Sequence, residues 1–296
     1  MSMQDVQNSH STKTFAINRV GIRNVIKPAC IQRPDKVVML TANIDVSVDL
    51  PPELKGAHLS RNMEVLTEIV DNSIRTPAES VESLCVRCAK GILEKHEYAS
   101  LAEVSISATY FLSRGKKQSI ENYVLSASAV CRRNGAITRK IGVKATGITA
   151  CPCAMETMRE KLKKMYRDNE ILEKMPVITH NQRNTVSIEM ELPEGMELEA
   201  DDLIEICEKS MSSPTYGILK RDDEGEVVFN AHQNPKFVED VVREALLLIL
   251  KKYAHFPDAT GIVVRSESEE SIHKHNAFAE KITTIGELKR EISAIL

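Results

Sequence analysis

In the stretch GITACPCAM (147–155), two cysteines flank a proline where a β-branched run gives way to helical periodicity. Cys151 and Cys153 are too close to bridge each other comfortably, and they lack zinc-finger spacing. Pro152 and the strand end fix the local backbone, so Cys153 can begin the following helix, whose N-terminal amides would stabilise a thiolate. On residue type alone, a metal or nucleophile role and a packing role both stay open. His180 of THNQR stands at a strand start among polar neighbours, a less natural place for a buried structural histidine, although a lone histidine leaves both readings open. SIHKH puts His273 and His275 two residues apart, on one face if the segment is a strand, which is a metal-compatible but unspecific spacing. LKRDDE (219–224) reads as a solvated turn, and so do Asp222, Asp223 and Glu226. NPKFVED opens a helix with Glu239 in its first two turns; facing inward, that carboxylate would need a partner. Cys85 and Cys88 sit inside a helical pattern with no second ligand pair, and read as packing. Cys30, Cys131 and Cys207 read as core.

Those side chains need a framework. The 296 residues exceed the usual single-domain size, which gives two modules as the expectation. A net charge of -3 argues against a surface that coats nucleic acid, so an anionic ligand would have to be held by local cations. Trp is absent, which removes the stacking platform of a single-strand binder. No apolar run approaches the ~18 residues of a membrane span. Residues 1–16 lack the apolar stretch of a signal peptide and read as a polar, mobile arm. Seven cysteines without a secretion signal make a disulfide framework unexpected. The expected compartment is the cytoplasm.

Periodicity gives the elements. KVVMLTANIDVSVDL alternates as a strand, with a further strand in AINRVGIRNVI before it. Two helices follow, one capped by Ser60 and one over 76–96 with Pro77 in its first turn. Strands at 101–112 and 119–133 flank a hairpin-like SRGKKQ. After Asn134-Gly135 the order repeats, with strands at 139–150 and 184–192, helices at 198–213 and 234–253, and strands at 259–268 and 275–284. A helical insertion occupies 154–175. The expectation is an α+β chain of two ββααββ modules, 17–135 and 136–296, the second carrying the candidate site.

The ordered set GITACPC, HNQR, YGILKRDDE, NPKFVED and ESIHKH, together with NRVGIRNV and DVSVDLPPELKGAHLSR, resembles the GTP cyclohydrolase type IB family from about residue 17 to 283. The 26 residues between Cys153 and HNQR make it look most like the archaeal, methanopterin-pathway branch. The resemblance implies the tunnelling fold, a dimeric or tetrameric homo-oligomeric barrel and active sites at subunit interfaces. It implies GTP as substrate, opening of the guanine imidazole ring, loss of C8 as formate, and 7,8-dihydroneopterin 2',3'-cyclic phosphate as product. The bacterial branch would instead make the triphosphate for folate. It implies one divalent metal per site, Fe²⁺ ahead of Zn²⁺ or Mn²⁺, with Cys151, His180 and Glu224 as metal-site residues and Cys153 as an additional ligand or a thiol near the metal. Glu239 matches the glutamate that grips the purine edge, and His273 or His275 would supply a proton or a further ligand. Arg61, Lys220 and Arg221 are triphosphate contacts on this reading, although a surface role remains open for each. Two other classes stay in view: a tunnelling-fold pterin or purine enzyme of different chemistry, and a non-catalytic oligomeric scaffold.

Overall fold

The computed structural model describes residues 7, 9–13, 15–33, 36–114, 119–166 and 170–294. Its contacts divide the chain into two compact units. The first holds Met1–Tyr110 and Leu125–Ile141, and the second holds Phe111–Val124 and Gly142–Leu296. This differs from a single cut after residue 135, because residues 111–124 group with the second unit. The side chains there explain it. Glu121 accepts the Gly217 N–H at 2.7 Å, and Tyr123 donates its hydroxyl proton to Glu208.

The strand order begins β1-β2-β3-β4, with β1 (Ile17–Gln32) and β2 (Val37–Leu50) in the first unit together with residues 101–110 of β3 (Leu101–Arg114) and 125–132 of β4 (Ser119–Arg132). Along β2, Leu40, Ala42, Ile44, Val46, Val48 and Leu50 are buried, while Thr41, Asn43, Asp45, Ser47 and Asp49 lie on the more accessible face. That alternation fixes the antiparallel register Ile44↔Ile106, Val46↔Val104 and Val48↔Ala102, since a one-residue slip would expose every apolar side chain. Helices α1 (Leu59–Asn72) and α2 (Val81–Lys95) pack against each other and bury Val65, Leu66, Val70, Leu84, Cys85, Cys88 and Ile92. Each such aliphatic side chain contributes about 1.5–3 kcal/mol. Ser60 does not cap α1, whose N-cap is His58. Nor does α2 begin at Pro77: Ser80 and Ser83 exchange hydrogen bonds in a capping box and start the helix at Val81. Ala78 bonds instead to the backbone of Cys30 and Gln32.

Asn134 and Gly135, the latter at φ +89°, turn the chain into β5 (Ile137–Ala150). The second unit orders β5, β6 (Asn181–Glu191), β8 (Gly261–Ser268) and β9 (Ala277–Thr284), with a two-residue β7 (Ser213–Pro214) on β5. That pairing requires Gly147, because a Cβ there would lie 2.6 Å from both the Ser213 carbonyl and the Met211 side chain. Helices α5 (Ala200–Ser210) and α7 (Val238–Tyr253) pack together, and α7 also packs on β8 and β9. The insertion is two helices, α3 (Pro152–Tyr166) and α4 (Ile171–Lys174). Two helices were not foreseen. LKRDDE is no turn but opens α6 (Arg221–Gln233), and α8 (Ile285–Ser293) follows β9. The order in both halves is ββααββ with these additions, an α+β architecture. The SRGKKQ turn falls largely on residues 115–118, outside the described residues. Among the described residues, no helix is long and apolar enough to cross a membrane.

Candidate active site

β5 ends at Ala150, and Pro152 occupies the first position of α3, where its missing N–H costs nothing. Cys151 between them acts as the helix cap. Its carbonyl accepts from Met155 N at 3.2 Å, and its Sγ accepts from Ala154 N at 3.4 Å. The sulfur is thus half-buried and fixed by the helix amides. Cys153, one step into the helix, is exposed. The insertion returns to the same point. Cys151 donates its N–H to the His180 carbonyl at 3.1 Å, and Thr179 Oγ1 donates to the Cys151 carbonyl at 2.7 Å. Two residues that are 29 apart in sequence are therefore neighbours along the backbone.

The His180 ring is half-buried. Its Nδ1 lies 2.9 Å from Gln182 Oε1 and 3.4 Å from Ser271 Oγ, and Nε2 makes no hydrogen bond among the described residues. The His273 ring stands edge-on to it at 6.5 Å, and His275 stacks on His273 at 5.2 Å. These two histidines are not on a strand face as expected. Ser268 ends β8, Ala277 starts β9, and 271–275 is the bend between them, which turns both exposed rings to one side. His273 is the one beside His180.

Other expected residues lie elsewhere. Glu224 is exposed in the first turn of α6. His232 of the same helix approaches the Thr179 carbonyl at 3.5 Å, so Glu224 sits two turns further along, about 12 Å by helix rise. Lys220 and Arg221, both exposed, begin that helix, and Glu239 is exposed in the first turn of α7. A cavity of about 260 Å³ adjoins the α6 start, lined by Tyr216, Ile218, Leu219, Asp223 and Glu226 among others. Arg61 belongs to the first unit, where Nη1 donates to the Lys95 carbonyl at 3.0 Å and finishes α2. Spacing did not reveal Gln182, Ser271 or His232. The only signal for Gln182 was its place inside HNQR.

The donor chemistry suits a borderline divalent metal. A cysteine sulfur and an imidazole nitrogen without a hydrogen bond come from adjacent backbone positions, and that is the mixed S and N set such ions prefer. Among the described residues, no three His, Cys, Asp or Glu side chains come together as a ready-made metal cluster. Cys151 and His180 are thus two donors joined through their backbones, without a third beside them among the described residues.

The profile of the family described as Type I GTP cyclohydrolase folE2 matches residues 3–279. The chain belongs to that family. Membership makes it an enzyme, a GTP cyclohydrolase. GTP cyclohydrolase MptA of Methanosarcina mazei is 41% identical over 312 residues, covering 99% of this chain and 98% of the relative. GTP cyclohydrolase MptA of Methanocaldococcus jannaschii is 38% identical over 304 residues, covering 97% of each. Among solved structures, uricase from Arthrobacter globiformis superposes with a TM-score of 0.56 at 8% identity, over 90% of this chain and 93% of that one. This last likeness concerns the fold alone and agrees with the tunnelling fold that the family resemblance implied.

Proposed function

We propose that this GTP cyclohydrolase opens the guanine imidazole ring with water, releases C8 as formate and recloses the ring to the dihydropterin. A hydroxyl of the pterin side chain then displaces pyrophosphate from the α-phosphorus to give 7,8-dihydroneopterin 2',3'-cyclic phosphate for methanopterin biosynthesis. The observation that carries the reading is the backbone pairing of Cys151 with His180, which presents one sulfur and one nitrogen donor in a chain 41% identical to an MptA relative. In this reading Cys151 and His180 hold a divalent metal, Fe²⁺ ahead of Zn²⁺ or Mn²⁺, and Glu224 completes the set. When bound, the metal supplies Lewis acidity toward water at the poorly electrophilic C8. His273, whose ring faces His180, holds the proton delivered to the departing ring nitrogen, with His275 stacked behind it. Glu239 accepts two N–H bonds from the guanine edge, and Lys220 and Arg221 meet the phosphates.

Glu224, Glu239, Lys220 and Arg221 are all exposed in the second unit, which suits residues that complete a site with another copy of the chain. The proposed assembly is accordingly a homo-oligomer with sites at subunit interfaces, working in the cytoplasm. The test is anaerobic incubation with GTP and Fe²⁺, then oxidation, pterin fluorescence and mass measurement. A fluorescent product with the mass of the cyclic phosphate is expected. The triphosphate mass would assign the folate-type reaction, and absence of any pterin with every metal tried would overturn the reading.

A further inference from the structure

The polar chain behind His180 runs deeper than the ring itself. Gln182 is 8% exposed, and its Nε2 donates to Thr149 Oγ1 and Glu270 Oε1, both at 3.3 Å. Thr149 Oγ1 is 3.1 Å from Ser268 Oγ, which accepts from Asn184 Nδ2 at 2.8 Å. Asn184 and Ser266 then exchange two bonds, at 2.9 and 3.0 Å. Thr149, Asn184, Ser266 and Ser268 are all buried. Buried hydroxyls and amides are costly unless satisfied, and here each finds a partner in the next.

The direction of this chain is fixed by its chemistry. A carboxylate only accepts, so the Gln182 amide must turn its nitrogen toward Glu270 and its oxygen toward His180. That oxygen also only accepts, so the proton of a neutral His180 sits on Nδ1 and the lone pair on Nε2. We infer that Gln182 is a positioning residue that sets the tautomer and ring angle of His180, anchored by Thr149 and Glu270. The inference rests on the proposed reading of His180 as a metal ligand. Partners of this kind, one step behind a ligand, typically change metal affinity 10- to 100-fold when lost.

The experiment uses the full chain stripped of metal and titrated with Co²⁺, followed by its visible absorption. Gln182→Met should weaken Co²⁺ binding about 10- to 100-fold with little change in melting temperature. The exchanged pair Gln182→Glu with Glu270→Gln keeps an acceptor toward His180 and a donor between the two side chains, and should restore affinity to within about threefold. Wild-type affinity in Gln182→Met, or no restoration by the exchange, overturns the inference. If Gln182→Met fails to fold, the half-buried Glu270→Ala decides instead: a weakening of about three- to tenfold supports the inference, and wild-type affinity overturns it. His180→Ala separates this from the underlying reading. Loss of Co²⁺ binding there beside an unchanged Gln182→Met sinks the positioning role alone, whereas undiminished binding by His180→Ala sinks the ligand role itself.

Discussion

Each unit of the molecule holds a histidine within a polar network, and the two networks end differently. In the first unit His96 is fully buried, with Nε2 2.7 Å from Asn62 Oδ1 and Nδ1 2.8 Å from the Tyr98 hydroxyl. Both nitrogens are used. In the second unit His180 is half-buried and, among the described residues, bonded at Nδ1 only. The cysteines repeat the contrast. Cys85 and Cys88 are fully buried, and burial pushes both thiols up, that of Cys88 to about 12, which keeps them neutral packing groups. Cys151 caps a helix with its sulfur half-buried. Residue type alone does not separate the two pairs; exposure does.

The sharpest way to break this contrast is through sulfur. Cys151→Ser should lower turnover at least about a thousandfold, the ~4 kcal/mol scale of lost metal assistance, and should lower bound metal in a folded protein. Cys85→Ala and Cys88→Ala should cost roughly 1–2 kcal/mol of stability and leave kcat unchanged. Full activity and full metal load in Cys151→Ser would erase the distinction. Next in size, Glu239→Ala should retain metal while raising KM for GTP about 30-fold or more, the equivalent of ~2 kcal/mol for a lost charged acceptor. An unchanged KM would remove Glu239 as the purine anchor.

Acid provides a subtler probe, confined to the buried His96. Burial pushes His96 down to about 4, with Arg61 and His58 adding to the effect. The unfolded chain therefore holds a proton on this residue between pH 6.5 and 4 that the folded chain does not, and stability rises with pH across that window. The contribution is fully present above pH 6.5 and falls by on the order of 2–3 kcal/mol as pH drops to 4. Denaturant midpoints at pH 7 and 4.5 should show the loss in the native sequence and a flatter profile in His96→Gln. Equal slopes in the two proteins would mean that His96 is not closed off. The smallest effect is expected from Arg61→Ala: about 1 kcal/mol of stability for the bond to the Lys95 carbonyl, with KM for GTP within about twofold. A large rise in KM would return Arg61 to the phosphates.

Much of this could be read in the residues. The alternation of NIDVSVDL placed β2, and the repeated order of strands and helices gave the α+β class. Helix α6 was missed for a physical reason. It buries only Ala231, so it carries no apolar stripe, and its one signal is the acidic first turn in which Asp223 accepts the Lys220 N–H. α8 did carry a legible mark, Thr284 three residues before Glu287, each bonded to the other's backbone. HNQR named His180 but not what holds it. Thr149 and Glu270 reach Gln182 from β5 and from beyond β8, and such meetings depend on strand pairing rather than local pattern.

The clasp at the base of the insertion has a further consequence, for how such chains diverge. Because the Cys151 N–H holds the His180 carbonyl and Thr179 holds the Cys151 carbonyl, the excursion through α3 and α4 starts and ends at one stitched point. Doubling the length of a flexible excursion costs only about 0.6 kcal/mol in closure entropy. Insertions and deletions between these stitches can thus accumulate with little penalty while the sulfur and the imidazole keep their spacing. The length and decoration of the insertion can therefore change without parting the backbones of Cys151 and His180.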